Sequence, residues 1–229
     1  MRLSTTTALG LSALTVLALA GCSTRTEPAI TATSSSTSAH QDGTAEASAP
    51  LSSAELKTRL LSESDLGEGY TRTPQPAVRH DDVTVIGCPA LAELGGDTAT
   101  GTSLSFPRKA KASFTYAGSS SSELSEELYS GSAAKLSQGI GTVFDAMLSC
   151  PTYQVVSGST VIDMGTMKAS APQLGDERWS QLLTYSAGGQ SSVVKQTAIR
   201  TGNILVIVSG SPALVDAHLA DAVRAAQAR

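Results

Sequence analysis

The chain has 229 residues, 41% of them apolar and 16% charged, which suits one domain with a proper core. Lys and Arg number 16 against 20 Asp and Glu, a formal net charge of -4, so there is no basic footprint for nucleic acid. Aromatic residues make up only 4%, which argues against a stacking platform for bases or sugars.

Arg2 opens an N-terminal segment whose apolar run, Ala8 to Ala20, ends in small residues. A spanning helix needs about 20 apolar residues. This run is shorter, so residues 1–21 read as a cleaved export signal. Leu19-Ala20-Gly21-Cys22 resembles the lipobox at which bacterial lipoproteins are lipidated and cut. The resemblance implies a diacylglyceryl thioether on Cys22 with further acylation of the palmitate kind. Each buried methylene contributes about 0.8 kcal/mol and two or more chains anchor stably, so the mature protein is expected on the outer face of a membrane. An ordinary secretory cleavage that leaves Cys22 as a passenger thiol is the competing reading.

Residues 22–50 are rich in Ser, Thr and Ala and nearly devoid of large apolar side chains. Such a stretch buries too little surface to offset its ordering entropy and reads as a disordered tether. His40 lies inside it and is discounted as a ligand or catalyst. Leu51 to Arg229 then forms a single α+β domain.

That domain starts clearly: Ser52 and Glu55 match a capping box, with Leu51 and Leu56 as its hydrophobic staple. A helix from Ser53 to Ser62 follows, its apolar face Leu56, Leu60 and Leu61. The glycines of Asp65-Leu66-Gly67-Glu68-Gly69-Tyr70 break any helix, and Tyr70 drops back onto the core. A connection bearing Pro74 and Pro76 leads to a short strand, Val83 to Ile86, that delivers Cys88. Pro89 opens a short helix carrying Leu91 and Leu94.

From Ala110 to Ala117 alternation puts Ala112, Phe114 and Tyr116 on one face and Lys111, Ser113 and Thr115 on the other, a half-exposed strand. Leu124 to Tyr129 suits helix by its Glu and Leu content and strand by its place in the order; strand is preferred. Ala133, Leu136, Ile140, Val143, Phe144 and Met147 recur at helical spacing and predict an amphipathic helix ending at Cys150-Pro151. Val155 to Met167 and Arg178 to Ser186 read as strands, and Gly188-Gly189 turns the chain into Ser192 to Thr201. Gly202-Asn203 is the strongest hairpin signal in the chain. Ile204 to Val208 is continuously apolar and predicts a central strand covered on both faces. Ser211 as N-cap and Pro212 at the first position start a last helix with the stripe Leu214, Val215, Leu219, Ala222, Val223 and Ala226. The fold class expected is α+β, a mostly antiparallel sheet with helices packed against it.

Three cysteines are an odd number, but lipidating Cys22 leaves Cys88 and Cys150 as a pair in a disulfide-permissive compartment. A disulfide between them would close a loop of about 60 residues and contribute about 4 kcal/mol on the chain-entropy account. A catalytic thiol needs a thiolate-stabilising partner that no local motif supplies. A zinc site fails on spacing.

Leu60-Leu61, Asp65 to Tyr70, Cys88-Pro89 with Leu91, Leu148-Ser149-Cys150-Pro151, Leu174-Gly175-Asp176-Glu177 and Ile199 to Asn203 occur here in an informative order. In these the chain resembles actinobacterial exported lipoproteins related to the extracellular sensor domain of membrane-anchored serine/threonine protein kinases. The resemblance implies an antiparallel sheet packed by helices around a cleft, with a ligand-binding or sensing role. This domain has one cysteine pair where the kinase sensor domains have two, and the chain carries neither a kinase domain nor a spanning helix.

Enzyme constellations are sparse. No G-x-S-x-G elbow, H-E-x-x-H or phosphate-cradling G-x-x-x-x-G-K motif occurs. His80-Asp81-Asp82 has the donors for a weak divalent-cation site but reads better as a solvated turn. Asp176 and Glu177 are neighbours that point to opposite faces of a strand unless the backbone turns between them. His218 sits beside the last helix's stripe and reads as a partly buried structural histidine. Trp179 reads as core; facing a cleft, with Arg178 or Arg200 at the rim, it would be the best ligand contact. No cofactor, metal site or catalytic residue is assigned.

Three readings compete. The first is a membrane-anchored, extracytoplasmic, non-catalytic module that binds or senses a small-molecule, lipid or protein ligand. The second is an assembly lipoprotein docking a protein partner. The third, a hydrolase with dispersed catalytic residues, requires His80 or His218 to line a pocket.

Overall fold

The computed structural model describes residues 49–74, 83–95, 104, 106–118 and 122–228. Cys22, His40, Pro76 and His80-Asp81-Asp82 lie outside the described residues. In chain order the elements are α1 (Ser53–Lys57), α2 (Glu63–Leu66), β1 (Tyr70–Arg72), β2 (Val83–Ile86), α3 (Pro89–Ala92), β3 (Lys109–Tyr116) and β4 (Ser122–Ser130). They continue with α4 (Ala133–Ser149), β5 (Thr152–Ser157), β6 (Thr160–Lys168), β7 (Glu177–Ala187), β8 (Gln190–Thr201), β9 (Ile204–Gly210) and α5 (Pro212–Gln227). All strand pairs are antiparallel, and the nine strands form one sheet in the order β1-β3-β4-β9-β8-β7-β6-β5-β2. This is the expected α+β architecture.

The apolar run Ile204-Leu205-Val206-Ile207-Val208 organises the packing. Side chains alternate across a strand, so Ile204, Val206 and Val208 enter one layer with Leu124, Leu128, Leu56, Leu60, Leu61 and the α5 residues Val215, Leu219 and Val223. Leu205 and Ile207 enter the opposite layer, against Leu136, Ile140 and Phe144 of α4. All five are buried. At about 1.5–3 kcal/mol per buried aliphatic side chain, covering both faces is what fixes one helix group on each side.

A further cluster fills the sheet's other end under α3 and the last turns of α4: Leu91, Met147, Tyr153, Val155, Met164 and Leu183. Cys88, at the start of α3, is bonded to Cys150 at the end of α4, with a Cα–Cα distance of 5.6 Å. The disulfide therefore pins the C-terminus of α4 to the segment that follows β2.

Three expectations need correction. The helix expected over Ser53 to Ser62 is two short ones. In an unbroken helix the Leu61 N–H would bond the carbonyl four residues back; it instead donates to the Glu126 carboxyl oxygen Oε2 at 2.7 Å, inside the core. A second capping box, Ser62 with Asp65, restarts the chain as α2, so the helix ends at Gly67 and not before Asp65. The strand expected over Val155 to Met167 is a hairpin, because Gly158 takes φ 57° and Ser157 pairs with Thr160 across a two-residue turn. Ser211 occupies the N-cap of α5, but its side chain makes no capping bond.

Candidate functional site

Helix α4 presents two adjacent stripes. Leu136, Ile140, Phe144 and Met147 face the sheet and are buried. Lys135, Gln138, Gly139, Thr142 and Val143, at the three- and four-residue spacing of one helix face, line a groove instead. Leu94, Leu104 and Phe106 form its other wall, and its volume is about 420 Å³. That is within the range of small-molecule sites, roughly 300–1,000 Å³.

Gly139 makes this geometry possible. A Cβ on it would lie 2.5 Å from the Phe106 Cζ, so with any larger residue the ring would have to swing away from the helix. The Phe106 ring also meets Tyr129 at 5.6 Å in an edge-on arrangement. Tyr129 ties the wall down further: its hydroxyl accepts the Leu104 N–H at 3.0 Å and donates to the Glu127 carboxylate, which Lys111 pairs at 2.7 Å. Three apolar residues are thus held against a helix face that adds Val143 and whose polar members are Lys135, Gln138 and Thr142. The Thr142 hydroxyl is turned away, donating to the Gln138 carbonyl at 2.8 Å.

The three residues nominated as ligand contacts are not brought together, and none lines the groove. Trp179 is half-buried on the α4 side of the sheet, against the cluster that also holds Phe106 and Val143. Arg178, its neighbour on β7, is exposed and by alternation faces the other side. Arg200 is clasped by Glu177 at 2.7 Å and Asp176 at 3.1 Å and donates to the Gly202 carbonyl at 3.0 Å. The backbone does turn ahead of β7, so Asp176 and Glu177 converge, on an arginine. The bond from Arg200 holds the Glu177 carboxyl below its ordinary range, and the same bond raises Arg200.

Titratable groups with displaced equilibria lie elsewhere. Glu126 has no exposed surface; burial pushes its carboxyl up to about 8, against the pull of the Leu61 N–H and Arg72, and Asp65 adds to the rise. His218 accepts from or donates to the Tyr70 hydroxyl through Nε2 at 2.7 Å, and its Nδ1 is buried without a partner. Burial lowers the His218 pKa, with Asp221 opposing. His218 does not line the groove. Two Ser-x-x-Lys spacings occur. Ser132 caps α4, accepting the Lys135 N–H at 3.4 Å. Ser192 and Lys195 alternate across β8, and Lys195 is committed to Asp216 at 2.5 Å. No three His, Cys, Asp or Glu side chains cluster among the described residues.

A second apolar surface lies on the sheet face away from α4, where Ile86, Val161, Met167 and Val193 are exposed. The register intersperses them with Thr184, Gln154, Asp163, Ser186 and Ser191, so they do not form one strip.

No family model matches the chain, and no curated protein matches it in sequence. Among solved structures, the extracellular domain of PknH from Mycobacterium tuberculosis superposes with a TM-score of 0.59 at 13% identity, covering 78% of this chain and 97% of that one. The chain shares the fold of a kinase extracellular domain. A putative uncharacterized protein from Mycobacterium smegmatis matches at a TM-score of 0.40 and 12% identity, over 77% of this chain and 95% of that one. The expected likeness to a kinase extracellular domain therefore holds at the level of the fold, and no helix among the described residues is long and apolar enough to cross a membrane. None of the groove residues was found from sequence. The available signal was the spacing Lys135, Gln138, Gly139, Thr142, whose glycine lies beside the core stripe.

Glu126 gives a measurable pH dependence. The folded state keeps a proton that the unfolded chain releases near 4.5, so stability is fully present below about 4.5 and declines as pH rises towards about 8. The slope is on the order of 1 kcal/mol per pH unit at most. Urea unfolding from pH 5 to 8 should show this decline in the parent and a flatter profile in Glu126→Gln, which keeps an acceptor for Leu61. Parallel profiles would refute the assignment.

Proposed function

We propose that this protein is a membrane-tethered, non-catalytic binding module on the outer face of a membrane, and that it takes the aliphatic part of an amphiphile into the groove between α4 and the Leu94, Leu104 and Phe106 wall. The groove's chemistry carries the reading. Leu94, Leu104, Phe106 and Val143 supply an apolar lining, and Lys135 and Gln138 supply a polar edge for a headgroup. Each methylene moved from water into such a lining contributes about 0.8 kcal/mol. Nothing in the lining forms a nucleophile–base pair, since Thr142 is turned to the helix backbone and His218 lies elsewhere. The lipobox-like Leu19-Ala20-Gly21-Cys22 supports the tether, and the shared fold with a kinase extracellular domain supports the extracytoplasmic location.

Docking of a protein partner on the open sheet face is the second reading, favoured by the four exposed apolar residues there. Arg178 remains a candidate contact only for such a partner, and Trp179 and Arg200, on the α4 side, only for a ligand larger than the groove.

Trp179 is the chain's single tryptophan and packs against the same cluster as Phe106 and Val143, so its emission reports on the groove. Titration with a medium-chain fatty acid should shift that emission saturably, and Thr142→Trp, judged by displacement of a fluorescent fatty acid, should weaken binding about tenfold or more by filling the groove, at roughly 0.8 kcal/mol per excluded methylene. Unchanged affinity would exclude the groove. For the tether, mass spectrometry of protein from native membranes should find an acylated Cys22, and Cys22→Ala should move the protein to the soluble fraction. An unmodified thiol would exclude the anchor.

A further inference from the structure

We propose that the end of the sheet where the tether joins is a membrane-docking face that recognises anionic lipid headgroups, setting the groove's Lys135 end at the bilayer surface. This rests on the tethered reading above. The first observation is where the chain outside the described residues arrives. The Ala49 carbonyl accepts from Asn203 Nδ2 at 2.7 Å, and the Leu51 N–H donates to Ser130 Oγ at 2.9 Å. The first described residues, Ala49 to Leu51, therefore lie beside the β8–β9 turn and the end of β4, and the chain from Cys22 joins there.

The second observation is which charges stand there. Ser130 donates its N–H to the Arg108 carbonyl at 3.1 Å, and Lys109 donates its N–H to Ser53 Oγ at 3.0 Å, so the segment before β3 borders the tether's entry. Arg108 and Lys109 are exposed, as is Lys135 on the first turn of α4. Lys135 is one turn from Gly139, on which Phe106 rests, and Arg108 follows two residues after Phe106. The groove thus opens at its Lys135 end beside basic residues.

The acidic groups at this end are engaged internally. Glu55 accepts the Ser52 N–H at 2.8 Å, Asp176 accepts the Gly202 N–H at 2.8 Å, and both Asp176 and Glu177 pair with Arg200. These partners leave the carboxylates charged, but Arg108, Lys109, Lys135 and Arg200 outnumber Glu55, Asp176 and Glu177 by four to three, so the groups named at this end carry a net +1 in a chain of net charge -4. A surface of anionic headgroups complements it and turns the groove towards its source of amphiphile.

The test uses the full chain carrying Cys22→Ser, which has no acyl anchor, in sedimentation with phosphatidylcholine vesicles with and without phosphatidylglycerol. Binding is expected to the anionic vesicles only, to be lost at high salt, and to weaken about tenfold or more in Arg108→Glu. The double variant Gln190→Glu with Ser192→Glu makes the same two-unit charge change beside the β7–β8 turn, at the opposite end of the sheet, and should bind as the parent does. Equal binding to both vesicles, absence of binding, or equal losses in the two charge variants would overturn the proposal. Fatty-acid binding that persists without vesicle binding removes the docking face and leaves the groove reading; vesicle binding without fatty-acid binding does the reverse.

Discussion

Everything in this structure follows from one strand that is apolar on both sides. β9 has no face it can show to water, so the chain must supply a layer to each. α1 and α5 cover one side and α4 the other. The strand's neighbours, β4 and β8, are committed by the same demand, which is why they carry the buried Leu124, Leu128, Ala198 and Ile199. Strands further from β9 need cover on one side only. Their other face, with Ile86, Val161 and Met167, is left open.

The groove is a consequence of how α4 is held. Its core stripe is fixed by β9, and its C-terminus by the Cys88–Cys150 disulfide, whose loop length is worth about 4 kcal/mol against the unfolded chain. A helix fixed at both ends presents its second stripe at a constant distance from whatever lies beside it. The Leu104–Phe106 wall is set at that distance by Tyr129, which spends its hydroxyl on Leu104 and Glu127 rather than on solvent. The gap that remains is apolar because the residues that close it are.

Most of the fold was legible in the sequence because its strongest signals are local. The Ser52–Glu55 capping box, the Gly202-Asn203 turn, the two-sided run of β9 and the helical spacing of α4 each depend on neighbours in the chain. What was missed depends on distant partners. The Leu61 N–H leaves its helix for a carboxyl group on β4, and the Gly158-Ser159 turn sits in a run whose β-branched residues continue on both sides. Glu126 was readable in part, since a strand over Leu124 to Tyr129 puts it on the same face as Leu124 and Leu128. Of the groove only the α4 stripe Lys135, Gln138, Gly139 and Thr142 left a mark in the sequence: its walls come from three separate segments, and only the approach of Phe106 to Gly139 unites them.

The central claim is that this fold binds an aliphatic group between α4 and the Phe106 wall, not on the open sheet face. Methyl-labelled NMR of the protein titrated with a fatty acid tests it most directly, because both surfaces report in one spectrum. The account predicts saturable shifts at Leu94, Leu104 and Val143 with Ile86, Val161 and Met167 unmoved. Shifts concentrated at Ile86, Val161 and Met167, or none at saturating ligand, would contradict it.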